Sequence, residues 1–339
     1  MSRVIPLVPA RSLSLGHAPA DRPAVLEFTV PPPLALYIHF PWCVRKCPYC
    51  DFNSHAVRDG IPEDAYLATL VADLEASLPD IWGRRIHSIF FGGGTPSLMS
   101  PAGLDRLLTA VRARVNLSPG AEITLEANPG TVEAERFAGF RDAGVNRLSI
   151  GVQSFDDRHL AALGRIHDAN EAQRAIELAQ RTFERVNIDL MYALPQQTMN
   201  EALRDLDTAL ATGVTHLSCY HLTLEPNTPF AAHPPELPDD DTSADMQEAI
   251  EARLADAGFL HYETSAFAQP GRQCLHNLNY WQFGDYLGIG AGAHGKLSFH
   301  DRVRRDMRYK HPGAYLEAAA QGRFVQESRE VGAAELPFE

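Results

Sequence analysis

Residues 37–53 read YIHFPWCVRKCPYCDFN, and this stretch decides how the rest of the chain is interpreted. An apolar run typical of a buried strand ends at Phe40, and a loop with the spacing C-x3-C-x2-C follows it. Two residues beyond the last cysteine the chain has Phe52, where a fourth cysteine would complete a four-thiol set. Three thiols this close together can hold a metal or an iron–sulfur cluster, or can be incidental. They are Cys43, Cys47 and Cys50.

The composition is that of an ordinary globular protein: 339 residues, 45% of them hydrophobic and 22% charged. No apolar run approaches the roughly 18 residues of a membrane span, so we expect no integral membrane segment. The net charge of −13 opposes binding to a phosphate backbone, so we expect no nucleic-acid partner. The N-terminus lacks the order of a secretory signal, which favours the cytoplasm. In that reducing compartment, clustered thiols more often bind metal than form disulfides.

Two segments stand apart from this background. Prolines interrupt residues 1–33, which predicts a flexible leader ahead of the first strand. The segment RVRRDMRYK, from Arg302 to Lys310, is locally basic. It is either a solvated loop or strand face, or a docking surface for an acidic partner such as a small electron-transfer protein.

Short apolar runs alternate with amphipathic stretches, the pattern of parallel strands joined by covering helices. Ser100 and Pro101 fit the N-cap and first position of one helix, and another helix closes at Gly144. A third helix opens after the acidic run 239–241 and closes at Gly258. The six predicted strands cover residues 34–40, 86–91, 122–127, 147–152, 185–192 and 216–224.

The polar and glycine-rich residues of this pattern fall at the C-terminal ends of the predicted strands. In α/β barrels the site is assembled at those ends from several strands, whereas periodicity alone also permits an open sheet. We therefore predict an α/β barrel-like fold with one central site. The residues concerned are the cysteine loop, GGGTP (92–96), EANP (126–129), GVQS (151–154) and Asp189.

Three thiolates suit an iron–sulfur cluster better than zinc. A structural zinc site needs four protein ligands, and Cys219 and Cys274 are far away in the sequence. A cubane cluster held by three thiolates keeps one iron exposed, and that iron can take a small ligand with free amino and carboxylate groups. The C-x3-C-x2-C loop and the later GGGTP resemble the radical S-adenosylmethionine (SAM) superfamily. That resemblance implies a [4Fe-4S] cluster and SAM, with the cofactor carrying the chemistry.

A larger set of motifs resembles the HemW family of heme chaperones, relatives of oxygen-independent coproporphyrinogen III dehydrogenase. The resemblance implies a partial (β/α)6 TIM-like radical SAM barrel over residues 34–268 and a small C-terminal extension over 269–339. It also implies that the chain ends where a winged-helix-type domain would begin. The motifs are LYIHFPWCVRKCPYCDFNSH (36–55), FFGGGTPSL (90–98), LEANPGT (125–131), LSIGVQSF (148–155), LGRIH (163–167), NIDLMYALP (187–195) and HNLNYW (276–281).

The resemblance also implies the site residues. The three clustered cysteines would hold the [4Fe-4S] cluster. Glu126 and Asp189 can accept hydrogen bonds from ribose hydroxyls or an ammonium, and Arg165 can bind a carboxylate through two N–H groups. Tyr37 lies in an apolar strand and can equally be a core residue. The positions implied around SAM are Tyr37, Gly94, Thr95, Pro96, Glu126, Gln153, Arg165 and Asp189.

The segment RQCLHNLNYW (272–281) is the candidate for binding heme. It offers a thiol and an imidazole, both known axial ligands, beside aromatic side chains that can pack on a porphyrin. By residue type, Cys274 and His276 are more often a buried thiol and a structural histidine. The HNxxYW motif of the family is tied to heme binding, which favours His276 and not Cys274.

The resemblance favours one function over two others. It implies a chaperone that binds heme, the [4Fe-4S] cluster and SAM, and that delivers heme to acceptor proteins such as respiratory enzymes. The alternative is radical decarboxylation of coproporphyrinogen III to protoporphyrinogen IX, whose enzymes carry a further cysteine where this chain has Phe52. A radical enzyme that modifies RNA is least favoured, because the chain is acidic.

Overall fold

One twelve-stranded sheet organises the part of the chain that the computed structural model describes, residues 28–131, 134–332 and 334–336. Most of the predicted leader, residues 1–27, lies outside these ranges. The strands are β1 Leu34–Phe40, β2 Trp42–Cys43, β3 His55–Ala56, β4 Arg85–Gly93, β5 Asn116–Ala127, β6 Arg147–Gln153, β7 Arg185–Tyr192, β8 His216–His221, β9 Leu260–Glu263, β10 Ala266–Ala268, β11 Asp285–Ile289, β12 His294–Ser298, β13 Val303–Arg308 and β14 Val325–Glu330.

Helices connect and cover the strands. They are α1 Glu63–Ser77, α2 Pro101–Arg112, α3 Ala134–Ala143, α4 Asp157–Ala162, α5 Ala169–Thr182, α6 Met199–Ala211, α7 Pro229–Ala232, α8 Asp240–Asp256, α9 Leu275–Trp281 and α10 Pro312–Ala319. None of the helices in the described ranges has the length and apolar character that crossing a bilayer requires.

The centre of the sheet consists of the six predicted parallel strands in the order β1-β4-β5-β6-β7-β8. Each pairs in parallel with its neighbour, which is the arrangement of a partial TIM-like barrel. The short antiparallel strands β10 and β9 follow β8 at one edge. At the other edge β11 pairs in parallel with β1, and β12, β13 and β14 continue antiparallel from it. The predicted extension 269–339 therefore shares the sheet of the barrel, and its boundary with the barrel stays a prediction.

The helix ends follow from local chemistry. Ser100 caps α2 as predicted: its Oγ accepts a hydrogen bond from the backbone N–H of Gly103 at 2.9 Å. The helix predicted to open after residues 239–241 begins earlier, at Asp240. Asp239 is its cap, because Oδ1 accepts from the N–H of Thr242 at 2.7 Å. The next two carboxylates then lie in the first turn, where the helix dipole favours negative charge.

The basic segment Arg302 to Lys310 is mostly strand β13, and several of its arginines form ion pairs within the molecule. Arg304 forms an ion pair with Asp80 at 2.5 Å, and Arg308 is buried against Asp73 at 3.0 Å. Because Arg304 and Arg308 already have carboxylate partners, they add little unbalanced positive charge to this face, and docking of an acidic partner there stays a prediction.

Candidate cluster and cofactor site

A cavity of about 590 Å³ opens at the C-terminal ends of the parallel strands, where the sequence placed one central site. Most of the predicted site residues line it, so the fold gathers residues that are spread over about 150 positions of sequence. Tyr37, Pro96 and His276 do not line this cavity. The predicted residues that do are Cys43, Cys47, Cys50, Gly94, Thr95, Glu126, Gln153, Arg165 and Asp189.

The three cysteines are free thiols on one half-buried loop. The loop is fastened at both ends by a small parallel ladder between β2 and β3. The N–H of His55 donates to the carbonyl of Pro41 at 2.7 Å, and the N–H of Val57 donates to that of Cys43 at 2.9 Å. Burial raises the pKa of the Cys43 and Cys50 thiols, and a positive charge close to them would favour their thiolate form.

Asn53 ties the same loop to the C-terminal strands. Its Nδ2 donates to the carbonyls of Ala291 at 2.9 Å and Lys310 at 2.8 Å. Gly292 has φ +78°, and a Cβ there would lie 2.2 Å from Nδ2 of Asn53, so only glycine permits the approach. The segment after residue 269 therefore fixes the cysteine loop, although its residues line little of the cavity.

Tyr37 is connected to the cysteine loop through His39, and it is not among the residues that line the cavity. Its hydroxyl donates to Nδ1 of His39 at 3.0 Å, and Nε2 of His39 donates to the carbonyl of Asn53 at 2.9 Å. Burial lowers the pKa of His39 to about 4, so the ring is neutral and has one donor and one acceptor nitrogen. These contacts give Tyr37 a structural role, and its predicted position around SAM stays a prediction.

The glycines of GGGTP are required by close backbone packing. The N–H of Gly94 donates to the carbonyl of Phe40 at 2.8 Å, and the N–H of Thr95 donates to the carbonyl of Trp42 at 2.7 Å. A Cβ on Gly94 would lie 2.5 Å from the carbonyl oxygen of Trp42. Pro96 begins the short 3-10 helix Pro96–Leu98 and is buried. The segment therefore runs directly alongside the start of the cysteine loop.

A hydrogen-bonded chain connects the glycine-rich segment to the thiols. Nδ2 of Asn128 donates to Oγ1 of Thr95 at 2.9 Å, and Nη2 of Arg165 donates to Oδ1 of Asn128 at 2.6 Å. Nη1 of Arg165 lies 3.7 Å from Sγ of Cys47. In the described residues the guanidinium of Arg165 contacts Cys47, Asn128 and the carbonyl of Gly151 and no carboxylate, and its buried Nε has no hydrogen-bond partner there. It can therefore neutralise an anionic ligand or a thiolate.

Glu126 and Asp189 place two carboxyl groups in the floor of the cavity. Burial and the charge of Asp189 raise the pKa of Glu126 to about 8. Burial also raises the pKa of Asp189, although that carboxyl accepts from Asn187 Nδ2 at 2.7 Å and from Ser149 Oγ at 3.2 Å. Both carboxyl groups therefore resist ionisation. A ligand that brings hydroxyl or ammonium donors would stabilise their ionised forms.

Gln153 reaches the cavity through a strained backbone. Its φ is +72°, in the left-handed region that glycine favours, and the β6–β7 register shifts between Gly151 and Gln153. Such strain on a non-glycine residue collects at functional sites because the surrounding structure must hold it there.

The sequence missed Arg147 and Glu122 as parts of this region. Arg147 is buried and lines the cavity. It was missed because it is the first residue of β6, and an arginine at the start of a strand is expected to be exposed. Oε1 of Glu122 accepts from the N–H of Leu275 at 2.8 Å and lies 3.3 Å from Sγ of Cys274. Burial raises the pKa of this thiol to about 12, which fits the buried structural cysteine considered from the sequence. Glu122 thus anchors α9, the helix of the HNxxYW motif, to β5.

His276 is buried, and both its ring nitrogens have partners. Nδ1 lies 3.0 Å from Oγ of Ser88, and Nε2 lies 3.0 Å from the hydroxyl of Tyr280. Burial lowers the pKa of the ring to about 3. Its neighbour Asn277 is the residue of the motif that lines the cavity. In this arrangement His276 has no free nitrogen for iron, and its heme-binding role stays a prediction.

Comparison with known proteins agrees with this geometry. Residues 37–209 match the family model of the radical SAM superfamily. The heme chaperone HemW of Escherichia coli is 53% identical over 313 residues, which cover 91% of this chain and 81% of that protein. This chain belongs to the HemW family. The heme chaperone HemW of Haemophilus influenzae is 52% identical over 314 residues, with the same coverage of 91% and 81%.

A solved structure supports the fold of this HemW-family chain. The coproporphyrinogen III oxidase HemN of Escherichia coli, a radical SAM enzyme, superposes with a TM-score of 0.78 at 25% sequence identity. The match covers 88% of this chain and 72% of that chain. Membership of the radical SAM superfamily implies a [4Fe-4S] cluster and SAM, and the name of the family implies heme.

Proposed function

We propose that this HemW-family protein is a heme chaperone of the cytoplasm that binds heme, a [4Fe-4S] cluster and SAM. Its cargo would pass to heme-acceptor proteins such as respiratory enzymes. The observation that carries the proposal is the cavity, which combines three thiols, an arginine without a carboxylate partner and two buried carboxyl groups in a chain of this family.

The residues present fit the cluster and SAM. Cys43, Cys47 and Cys50 are unpaired thiols lining one cavity, and three thiolates leave one iron of a cubane open for an amino-acid ligand. Arg165 supplies positive charge beside the thiols, and Glu126 supplies an acceptor on the floor. When bound, the reduced cluster and SAM together make radical chemistry available at this site.

Each group of the chain has a separate task in this account. Arg165 neutralises the anionic end of a ligand and holds the Asn128 amide in place. Glu126 and Asp189 accept hydrogen bonds from donor groups at the other end of the ligand. Asn53 and His39 keep the cysteine loop at a fixed distance from the floor of the cavity. A small electron-transfer protein would supply the electron that reduces the cluster.

The second candidate is oxygen-independent coproporphyrinogen III dehydrogenase, because a coproporphyrinogen III oxidase shares the fold. Phe52 argues against it. That side chain lines the cavity and is 63% exposed, so the position that carries a further cysteine in such enzymes presents an apolar ring and no thiol.

One experiment separates the two candidates. After anaerobic reconstitution of the cluster, heme retention and conversion of coproporphyrinogen III are measured in the same preparation with SAM and a reductant. We expect retained heme and no loss of carbon dioxide from the propionates. Cys47→Ala, which lacks the cluster, is the control for turnover without radical chemistry. Sustained formation of protoporphyrinogen IX by the unmodified protein would contradict the chaperone function.

A further inference from the structure

Exposed apolar side chains gather at the mouth of the cavity. Four of the large hydrophobic residues with high exposure in the described ranges line this one cavity, and we call them the rim. Apolar groups exposed together around a concave site mark a binding surface and are unlike singly scattered surface residues. The rim consists of Val44 (51% exposed), Phe52 (63%), Ile166 (44%) and Tyr220 (41%).

The rim residues come from three separate parts of the fold. Val44 and Phe52 belong to the cysteine loop, Ile166 follows α4, and Tyr220 is in β8. The hydrogen bonds of Asn53 fix the loop that carries the first two, and Ile166 directly follows Arg165, which is held by Asn128. Because these segments are positioned independently, the rim is a convergent surface and not the accidental exposure of one strand.

The cavity therefore has two chemically different zones. Its floor is polar, with the carboxyl groups of Glu126 and Asp189, and suits a ligand rich in donors. Its mouth is apolar and has a cation beside it: Arg45 is exposed and has no ion pair within the described ranges. Asp51 also lies at the mouth, so the positive charge is local and confined to one side. A large flat ligand with a few carboxylates matches the mouth, and SAM matches the floor.

Heme cannot reach the side chains of α9 as easily as it can reach the rim, because the side chains of α9 are held by contacts within the protein. Both nitrogens of His276 are hydrogen-bonded, and the thiol of Cys274 is buried against Glu122. The one aromatic of the motif with a large exposed surface is Trp281, and its Nε1 lies 3.2 Å from Oε2 of Glu263. A porphyrin approaching α9 would have to break these contacts, whereas the rim is already open.

We propose that the rim is the seat of the porphyrin ring of heme, with the ring face on Phe52 and Ile166 and a propionate directed to Arg45. The inference rests on the proposed heme-chaperone function and adds a location to it.

The test measures binding of heme and of metal-free protoporphyrin IX to Phe52→Ser, Ile166→Ser and the double variant. Each substitution is expected to weaken both ligands by about tenfold, because each removes apolar contact worth ~1.4 kcal/mol. Trp82→Ser is the matched control: Trp82 is 84% exposed but precedes β4, at the end of the strands away from the mouth. It should leave both affinities unchanged.

Iron content and SAM affinity of each variant show whether the site itself is intact, and both should equal those of the unmodified protein. The rim is not the seat if the double variant keeps full affinity for both porphyrins. The same conclusion follows if only heme binding falls while metal-free porphyrin binding is unchanged, because that result points to an iron ligand. An unmodified protein that binds neither porphyrin would overturn the proposed function, and the seat with it.

Discussion

Cys47→Ala is expected to abolish the [4Fe-4S] cluster, so that the anaerobically reconstituted variant contains essentially no iron and no sulfide. Three thiolates bind three irons of a cubane and leave the fourth open, and the variant would keep only two of these ligands. The remaining cysteines cannot replace the lost ligand. Cys219 is buried in β8, Cys274 is buried against Glu122, and neither lines the cavity.

The measurement is iron and sulfide per chain, together with the brown absorbance of the cluster. Cys219→Ala is the matched control, since it removes one thiol from the same chain at a site outside the cavity. That variant should retain the cluster. Full iron content in Cys47→Ala would show that this thiol is not a ligand and that the three-thiolate account is wrong.

Glu126→Gln is expected to have opposite effects on stability and on SAM binding. The pKa of Glu126 is raised to about 8 in the folded protein by burial and by Asp189, against an ordinary value of 4.5. The folded state therefore binds the proton more tightly than the unfolded state does. The free energy of unfolding therefore falls as pH rises from about 4.5 to about 8. Glutamine does not titrate, so the variant does not lose stability in this pH range. The gain from the substitution reaches the order of a few kcal/mol at high pH.

Binding of SAM should weaken in the same variant by about tenfold to a hundredfold, because a charge-assisted hydrogen bond is worth roughly 1.5–3 kcal/mol. Melting temperatures at pH 6 and pH 8.5 give the first effect, and equilibrium SAM binding to the reconstituted protein gives the second. Glu248→Gln, on the exposed face of α8, is the control and should change neither. A stability gain that does not grow with pH would refute the raised pKa of Glu126.

The central strands were predictable because each is an apolar run buried on both faces. The run LALYIHF, for example, became β1 with the predicted limits. The other six strands of the sheet were missed: β9 and β10 at one edge, and β11 to β14 at the other. β13 is VRRDMR and β14 is VQESRE, and such charged sequences carry no apolar alternation. They are strands because β12 and β13 supply backbone partners, which is a tertiary cause.

Some residues of the candidate site could also be predicted from the sequence, and others depend on contacts between distant parts of the chain. The sequence predicted the thiols, the glycine-rich segment and the strand-end carboxylates, because each of them follows or ends a predicted parallel strand. Asn53 was not visible, because its partner Ala291 is 238 residues away. The contacts of His276 were not visible either: Ser88, which faces Nδ1, is 188 residues away in the sequence, and the heme-binding role of this histidine stays a prediction.

The central claim is that three thiolates hold a [4Fe-4S] cluster whose fourth iron is open to SAM. Mössbauer spectra of protein reconstituted with 57Fe, recorded before and after SAM is added, test it directly. We predict four irons per chain, one of which changes its isomer shift and quadrupole splitting when SAM binds, while the other three stay the same. A spectrum that SAM leaves unchanged in all four irons, at a SAM concentration shown to saturate binding, would contradict the claim.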